Sequence, residues 1–208
     1  MRPTNLELIE SFAQGTVKLP PPVGSVGNCA SIALIKAAIE IFGLDNVFQH
    51  TKEGSNHTVT FKNWKTVTFT DAELERSNLV AGFELNINDP AKVEHYTRIY
   101  QYAQLALCAM VKRVMEIGEA GQGKGDFESA LRALNDGANT PSLPEKLGLE
   151  NYCLKKKWLR NANGKGLFGW FSGHTVYISQ GVRDDYGSPS SDVYRFPKRM
   201  QIVERAVR

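Results

Sequence analysis

The chain has 208 residues, of which 42% are hydrophobic and 23% charged, and its net charge is +3. This composition is typical of a soluble globular protein with a sizeable core, and so mild a charge gives no case for binding nucleic acid. The three cysteines argue against a disulfide framework. None lies in a Cys-x-x-Cys pair, so we expect no metal and no other cofactor.

The first residues of the chain lack the long apolar run of a signal peptide. No later run approaches the roughly 20 apolar residues that a membrane-spanning helix needs. We therefore expect a cytoplasmic protein without membrane contact. A secreted or injected effector and a domain cut from a longer protein remain alternatives, and the sequence leaves the oligomeric state open.

The segment at residues 30–42 is almost entirely apolar, with Ser31, Lys36 and Glu40 as its polar members. A helix that is apolar nearly all round is a buried helix, and Gly43 offers its C-terminal stop. Lys36 and Glu40 are four residues apart, so we expect them to pair on one face. Cys29 then lies in the first turn, where free N–H groups and the helix dipole favour a lowered thiol pKa.

The elements around this helix follow from local signals. Two alternating runs flank Asn63-Trp64 and predict a β-hairpin, and Thr70 opens a capping box. Asp89-Pro90 predicts the start of the longest helix. The full set of expected helices lies at residues 5–12, 30–42, just after 70, 89–117, 127–134 and 142–145.

The last third is rich in β-branched and aromatic residues, which predicts strands at 151–159, 167–171, 174–179 and 192–196. Helices followed by strands indicate an α+β fold. We expect one domain, with a mainly helical half at 1–148 that includes the hairpin at 57–70, and a β-rich half at 149–208. The basic stretches at 155–157 and 198–208 are interpreted as solvated edges.

Cysteine hydrolysis needs a thiolate, a histidine that moves protons and usually a third group that orients the imidazole. His174 follows a glycine and opens a predicted strand, where another side chain can reach its ring. The other histidines fit less well, since His50 lies in a polar loop, His57 begins the hairpin and His95 lies within a helix.

Three features together resemble the papain-like cysteine peptidases, particularly the calpain-type catalytic core. They are Gly27-Asn28-Cys29-Ala30-Ser31 opening an apolar helix, Gly173-His174-Thr175-Val176-Tyr177 opening a strand, and the order of cysteine, helices and histidine. The resemblance implies that Cys29 is the nucleophile, that His174 is the general base and that the Cys29 N–H contributes to an oxyanion hole.

The sequence departs from that family at two positions. The family has a Gln shortly before the cysteine, where this chain has Val23, and Gln14 is the nearest upstream Gln. The family's third residue is an Asn after the histidine, and Phe196 occupies that place here. An aspartate could replace it, and we favour Asp192 at the start of the last predicted strand. Asp184 and Asp185 are alternatives, expected to lie in a turn.

The predicted function is hydrolysis of an amide bond in a protein or peptide through a Cys29–His174 dyad, or a triad with Asp192. A peptidase, a Gln or Asn deamidase and a transglutaminase share this chemistry. The alternative is a catalytically inactive papain-like module that binds protein. A weaker alternative is a nucleic-acid-binding domain that uses the basic tail.

Overall fold

A computed structural model describes residues 2–15, 27–157, 162–171, 173–193, 196 and 198–207. The proline-rich segment, Val23, Ser25 and Val26 lie outside the described residues, as do Arg195 and Pro197. The described residues form helices and antiparallel sheets, which is the α+β class that the sequence predicts.

The helices confirm most of the local signals. Thr4 and Thr70 each form a complete capping box, and the Asp126 side chain accepts from the N–H of Ser129. The longest helix begins later than predicted, because residues 90–92 form a turn before Lys92 caps it. The helices are α1 (Asn5–Ser11), α2 (Cys29–Phe42), α3 (Asp71–Ala81), α4 (Val93–Ile117), α5 (Phe127–Asn135) and α6 (Leu143–Lys146), with 3-10 turns at Thr140–Ser142 and Glu150–Tyr152.

The strands form three antiparallel sheets with the orders β1-β5, β2-β3-β4 and β10-β9-β8-β7-β11-β6. Their bounds are β1 (Phe12–Ala13), β2 (Phe48–Glu53), β3 (Asn56–Phe61), β4 (Thr66–Thr70), β5 (Glu84–Leu85), β6 (Cys153–Lys157), β7 (Leu167–Phe171), β8 (His174–Ser179), β9 (Val182–Asp185), β10 (Ser188–Ser190) and β11 (Lys198–Ile202).

The predicted hairpin is present as β3 and β4, in the register Val59 opposite Val67. Strand β2 adds to its outer edge and was not predicted. Only Phe48 of this strand is buried, so its sequence lacks the alternation of a half-buried strand. His50 therefore lies on a strand and not in a loop.

The last third differs from the prediction in several places. Asp184 and Asp185 both lie in β9 and not in a turn, and Asp192 follows the end of β10 without starting a strand. The stretch from Lys198, interpreted as a solvated tail, instead forms β11 between β7 and β6. Met200 and Ile202 are buried in this strand. Two apolar side chains within a basic run are only a weak sequence signal for a buried strand.

Helix α2 is buried through nearly its whole length, as its composition predicts. The predicted pair between Lys36 and Glu40 does not form. Lys36 Nζ donates to Asp184 Oδ2 at 2.6 Å, while Glu40 accepts from the Gly166 N–H at 2.6 Å and from Ser179 Oγ at 2.5 Å. Instead of bonding to each other, both side chains bond to the six-stranded sheet and its adjoining loop, because that sheet covers their face of α2. In the described part of the chain, no helix combines the length and apolarity needed to cross a bilayer.

Candidate active site

The turn that precedes α2 is held by a buried pair of amides. Asn28 is fully buried, and its Nδ2 donates to the Ala81 carbonyl at 2.7 Å and to Asn135 Oδ1 at 3.0 Å. The Gly27 N–H donates to the Asn135 carbonyl, and the Gly137 N–H donates back to Gly27. The ends of α3 and α5 therefore fix where α2 begins.

Because the Asn28 side chain points into the interior, it does not cap its own helix. Among the described residues, no side chain caps the first N–H groups of α2, at the end of the helix that carries Cys29. Free N–H groups and the positive end of a helix dipole favour negative charge close by. An oxyanion formed at Cys29 would lie next to these groups.

The Cys29 thiol is half-buried. Burial raises its pKa, while the nearby backbone N–H groups of Thr175, Ala30 and Cys29 itself act in the opposite direction. The pKa is therefore shifted upward, opposite to the prediction, because loss of hydration outweighs the N–H groups. Thr175 directly follows His174, so this contact joins the start of α2 to the start of β8.

His174 lies between two aromatic rings. Tyr186 stacks on it with ring centroids 5.1 Å apart and planes at 15°, and Phe196 meets it edge-on at 6.0 Å. Phe196 is the residue at the place of the family's Asn, and it brings no hydrogen-bonding group to the imidazole. The ring's Nε2 is buried without a hydrogen-bond partner among the described residues.

Burial lowers the pKa of His174. The positive charge of Arg183 acts in the same direction, while Asp185 and Asp184 oppose it. Lys198 is a further charged residue on the cleft. At neutral pH the imidazole is therefore uncharged and able to accept a proton.

Cys29 and His174 line one cleft of about 640 Å³. Segments from both halves of the chain form its walls: residues 137–141 come from the helical half, and Trp170 and Phe171 come from β7. A recess of about 20 Å³ adjoins it and is lined by Cys29, His174, Gln14, Asp184 and Tyr186, among others. The structure thus brings Gln14, which is 15 positions before Cys29 in the sequence, to the same recess.

The three aspartates have different surroundings. Asp184 lines the recess, and Asp185 forms an ion pair with Arg183 at 2.8 Å. Asp192 is exposed, its N–H donates to Ser190 Oγ, and the residues that line the cleft and the recess do not include it. Its role as the third residue stays a prediction.

Two features of this site were missed from the sequence. No hydrogen bond joins Cys29 to His174 in the described residues, and the Thr175 N–H is the group of β8 that acts on the pKa of the thiol. Tyr186 was not singled out, because its sequence position after two aspartates carries only a turn signal. Its contact with His174 depends on how β8 and β9 pair.

A scan against protein-family models and searches of curated proteins and of solved structures each found no match. The function of this chain is therefore inferred from the site itself.

Proposed function

We propose that this protein is a papain-like cysteine hydrolase that cleaves amide bonds with Cys29 as nucleophile and His174 as general base. The observation that carries the proposal is that these two residues come from opposite halves of the chain and line one cleft. Each begins its own element, Cys29 at α2 and His174 at β8. Both elements are ordered and largely buried, as a catalytic pair requires of its scaffold.

The proposed reaction begins when the imidazole takes the thiol proton and the sulfur bonds to the substrate's carbonyl carbon. The resulting oxyanion collapses, the C–N bond breaks, and the imidazolium gives its proton to the departing amine. A water molecule then attacks the thioester while His174 accepts its proton. The acid product leaves, and the proton returns to the sulfur of Cys29.

The pKa directions support a resting pair in its neutral form. Burial raises the pKa of the thiol and lowers the pKa of the imidazole, which favours an uncharged thiol together with an uncharged base. Proton transfer then accompanies the attack on the carbonyl, which is general-base catalysis. The missing hydrogen bond between the two side chains fits a site that tightens when substrate binds.

The oxyanion would form beside the Cys29 N–H at the start of α2. Gln14 lines the recess next to Cys29, and its side-chain amide is the group we propose as the second donor. Such donors often supply the largest single catalytic effect, roughly 10²- to 10³-fold for one group. Gln14 would thus replace the Gln that the sequence lacks at position 23.

The cleft favours an apolar group near the scissile bond. Ala138, Pro141, Trp170 and Phe171 form its apolar lining, and Lys198 is its charged member. We propose a protein or peptide substrate, cut at a peptide bond. Attack on a Gln or Asn side-chain amide, as in a deamidase or transglutaminase, uses the same groups and is the alternative substrate.

The test is a peptide library made by digesting a proteome, incubated with wild type, Cys29→Ala and His174→Ala and analysed by mass spectrometry. New peptide termini that require both residues indicate a peptidase. Conversion of Gln or Asn to Glu or Asp indicates a deamidase. If all three proteins give the same products, the hydrolase proposal is wrong.

A second readout uses iodoacetamide alkylation and mass mapping of the labelled cysteine. Cys153 is an internal control, because it is also free and half-buried and burial raises its pKa to about 12. We expect His174→Ala to slow alkylation of Cys29 and not of Cys153. Equal effects on both, together with no cleavage, would favour the inactive binding module, which the raised thiol pKa also suits.

A further inference from the structure

A fully buried lysine lies two helical turns beyond Cys29 and has no role in the proposed reaction. Lys36 Nζ donates to Asp184 Oδ2 at 2.6 Å, to the Phe12 carbonyl at 2.6 Å and to the Ile9 carbonyl at 3.2 Å. It also lies 4.5 Å from the centre of the Phe12 ring. A buried charge is costly unless it is paired and hydrogen-bonded, and all three donor positions of this ammonium group are used.

The partner carboxylate holds the turn that faces His174. Oδ1 of Asp184 accepts the N–H of Gly187 at 2.7 Å, which closes the turn between β9 and β10. Within this turn Tyr186 has a φ of 52°. Gly187 follows with a φ of 85°, and positive φ at both central residues is the conformation of a tight two-residue hairpin turn.

The turn brings the Tyr186 ring onto the imidazole of His174, although Tyr186 as a residue is 58% exposed to solvent. The imidazole has no hydrogen bond at its buried Nε2. Ring packing by Tyr186 and Phe196 is therefore what orients it in the described structure.

We propose that Asp184 is a positioning residue for His174, acting through the turn that carries Tyr186, with Lys36 as its anchor. The proposal rests on the proposed hydrolase function. In it, aromatic packing on a fixed turn orients the base, which is the task that a hydrogen-bonded third residue performs in a triad.

The same lysine also reaches the other wall of the recess. Lys36 Nζ donates to the carbonyl of Phe12. Phe12 lies in β1, the short strand that directly precedes Gln14. One buried ammonium group thus ties together the segments that carry Gln14 and Tyr186. Losing it should disturb both sides of the recess at once.

The test is NMR of protein labelled at histidine, in wild type, Tyr186→Ala and the double variant Lys36→Met/Asp184→Ala. The double variant removes both charges and so leaves neither buried alone, which is the costly case. His50, His57 and His95 give internal reference signals. Iodoacetamide alkylation of Cys29 at pH 7 is measured on the same samples.

In wild type, we expect the His174 ring protons to be shifted upfield by the stacked Tyr186 ring. Both variants should lose this shift, move the His174 titration toward the ordinary value of about 6.5 and leave the other three histidines unchanged. Alkylation of Cys29 should slow by about tenfold, a part of the roughly 10²- to 10⁴-fold that a positioned base contributes. Tyr186→Phe should retain the shift.

Trp64→Ala is the matched control for Tyr186→Ala. Trp64 is also an exposed aromatic residue at positive φ, with φ 64° and 81% exposure, and it lies in the turn between β3 and β4. This variant should leave the His174 signals unchanged. Asp192→Ala is a competing test, since a direct third residue at 192 would alter the His174 titration when removed.

If His174 keeps its wild-type signals in both Tyr186→Ala and the double variant, the positioning role is overturned. It is also overturned if only Asp192→Ala changes them. If the signals change as expected but wild-type Cys29 labels independently of His174, the packing is as described and the hydrolase proposal fails. The positioning role then fails with it, and the two failures remain distinguishable.

Discussion

At the scale of single residues, Asn28 shows how an amide next to the proposed nucleophile can stabilise the fold. It is fully buried, and it joins the end of α3 to the end of α5 through Ala81 and Asn135. A side chain of this kind specifies one position for the turn before Cys29. Replacing Asn28 should therefore change both the stability of the protein and the position of Cys29.

We predict that Asn28→Ala lowers the free energy of unfolding by about 2 kcal/mol, because the Ala81 carbonyl and Asn135 Oδ1 then lose the buried donor that they share. Urea denaturation measures this. Asn88 is exposed, and Asn88→Ala is the control, with an expected change within about 0.5 kcal/mol. Equal stability of the two variants would contradict the role given to Asn28.

The shifted pKa values of the Cys29 thiol and the His174 imidazole predict that the rate of Cys29 alkylation rises in two steps with pH. Since burial lowers the pKa of His174, the first rise should lie below about pH 6.5, where the imidazole becomes a free base. Since burial raises the pKa of the thiol, the second rise, at which the thiol itself ionises, should lie above about pH 8.5. His174→Ala should retain only the alkaline step, and a single step near neutrality in wild type would disprove a neutral resting pair.

At the scale of elements, α2 is joined to the six-stranded sheet by polar side chains within an apolar contact. Glu40 receives the Gly166 N–H, just before β7, and the Ser179 hydroxyl at the end of β8. Lys36 joins the same helix to β9. These bonds specify the position of the sheet along α2, which apolar contacts alone define less sharply.

We expect Glu40→Leu to destabilise the protein by about 3 kcal/mol, because Gly166 and Ser179 would keep buried donors without an acceptor. Glu40→Gln retains an acceptor of the same shape and should cost about 1 kcal/mol. Thermal and urea unfolding of both variants measure the difference. If Leu is tolerated as well as Gln, these bonds do not fix the sheet.

At the scale of the whole molecule, the candidate site is a cleft between two parts of the chain. Cys29, the proposed nucleophile, comes from the helical half, His174, the proposed base, comes from the β-rich half, and both halves line the cleft. Any loss of packing between α2 and the sheet therefore separates the pair before it unfolds either element. Activity should be lost at lower urea concentrations than helix content.

Stability of the whole chain should fall as the pH drops below about 6.5. The pKa of His50 is lowered by burial and by His57 and Lys52, and that of His174 by burial and Arg183. Unfolded histidines titrate near 6.5 and so bind protons that the folded chain does not, which stabilises the unfolded state as the pH falls. Urea midpoints between about pH 7.5 and pH 5.5 test this, and His50→Gln should show a smaller fall.

Features that depend on neighbours in sequence were predictable. The Thr70 box, the Asp126 cap and the buried α2 that begins at Cys29 rest on hydrogen bonds and periodicity within a few residues. The hairpin of β3 and β4 is of the same kind. The start of α4 was placed too early, because Pro90 favours a first turn of helix and a simple turn equally well.

What the sequence by itself determined is therefore the α+β class, most helices and the candidate pair Cys29 and His174. The tertiary structure alone decided that Lys36 meets Asp184, 148 residues away, that β11 lies between β7 and β6 and that Tyr186 stacks on the imidazole of His174. Local signals arise from bonds over three or four residues. Contacts between residues far apart in the chain depend on which surfaces meet when strands pair and α2 is buried. The spacing of residues along the sequence does not predict those contacts.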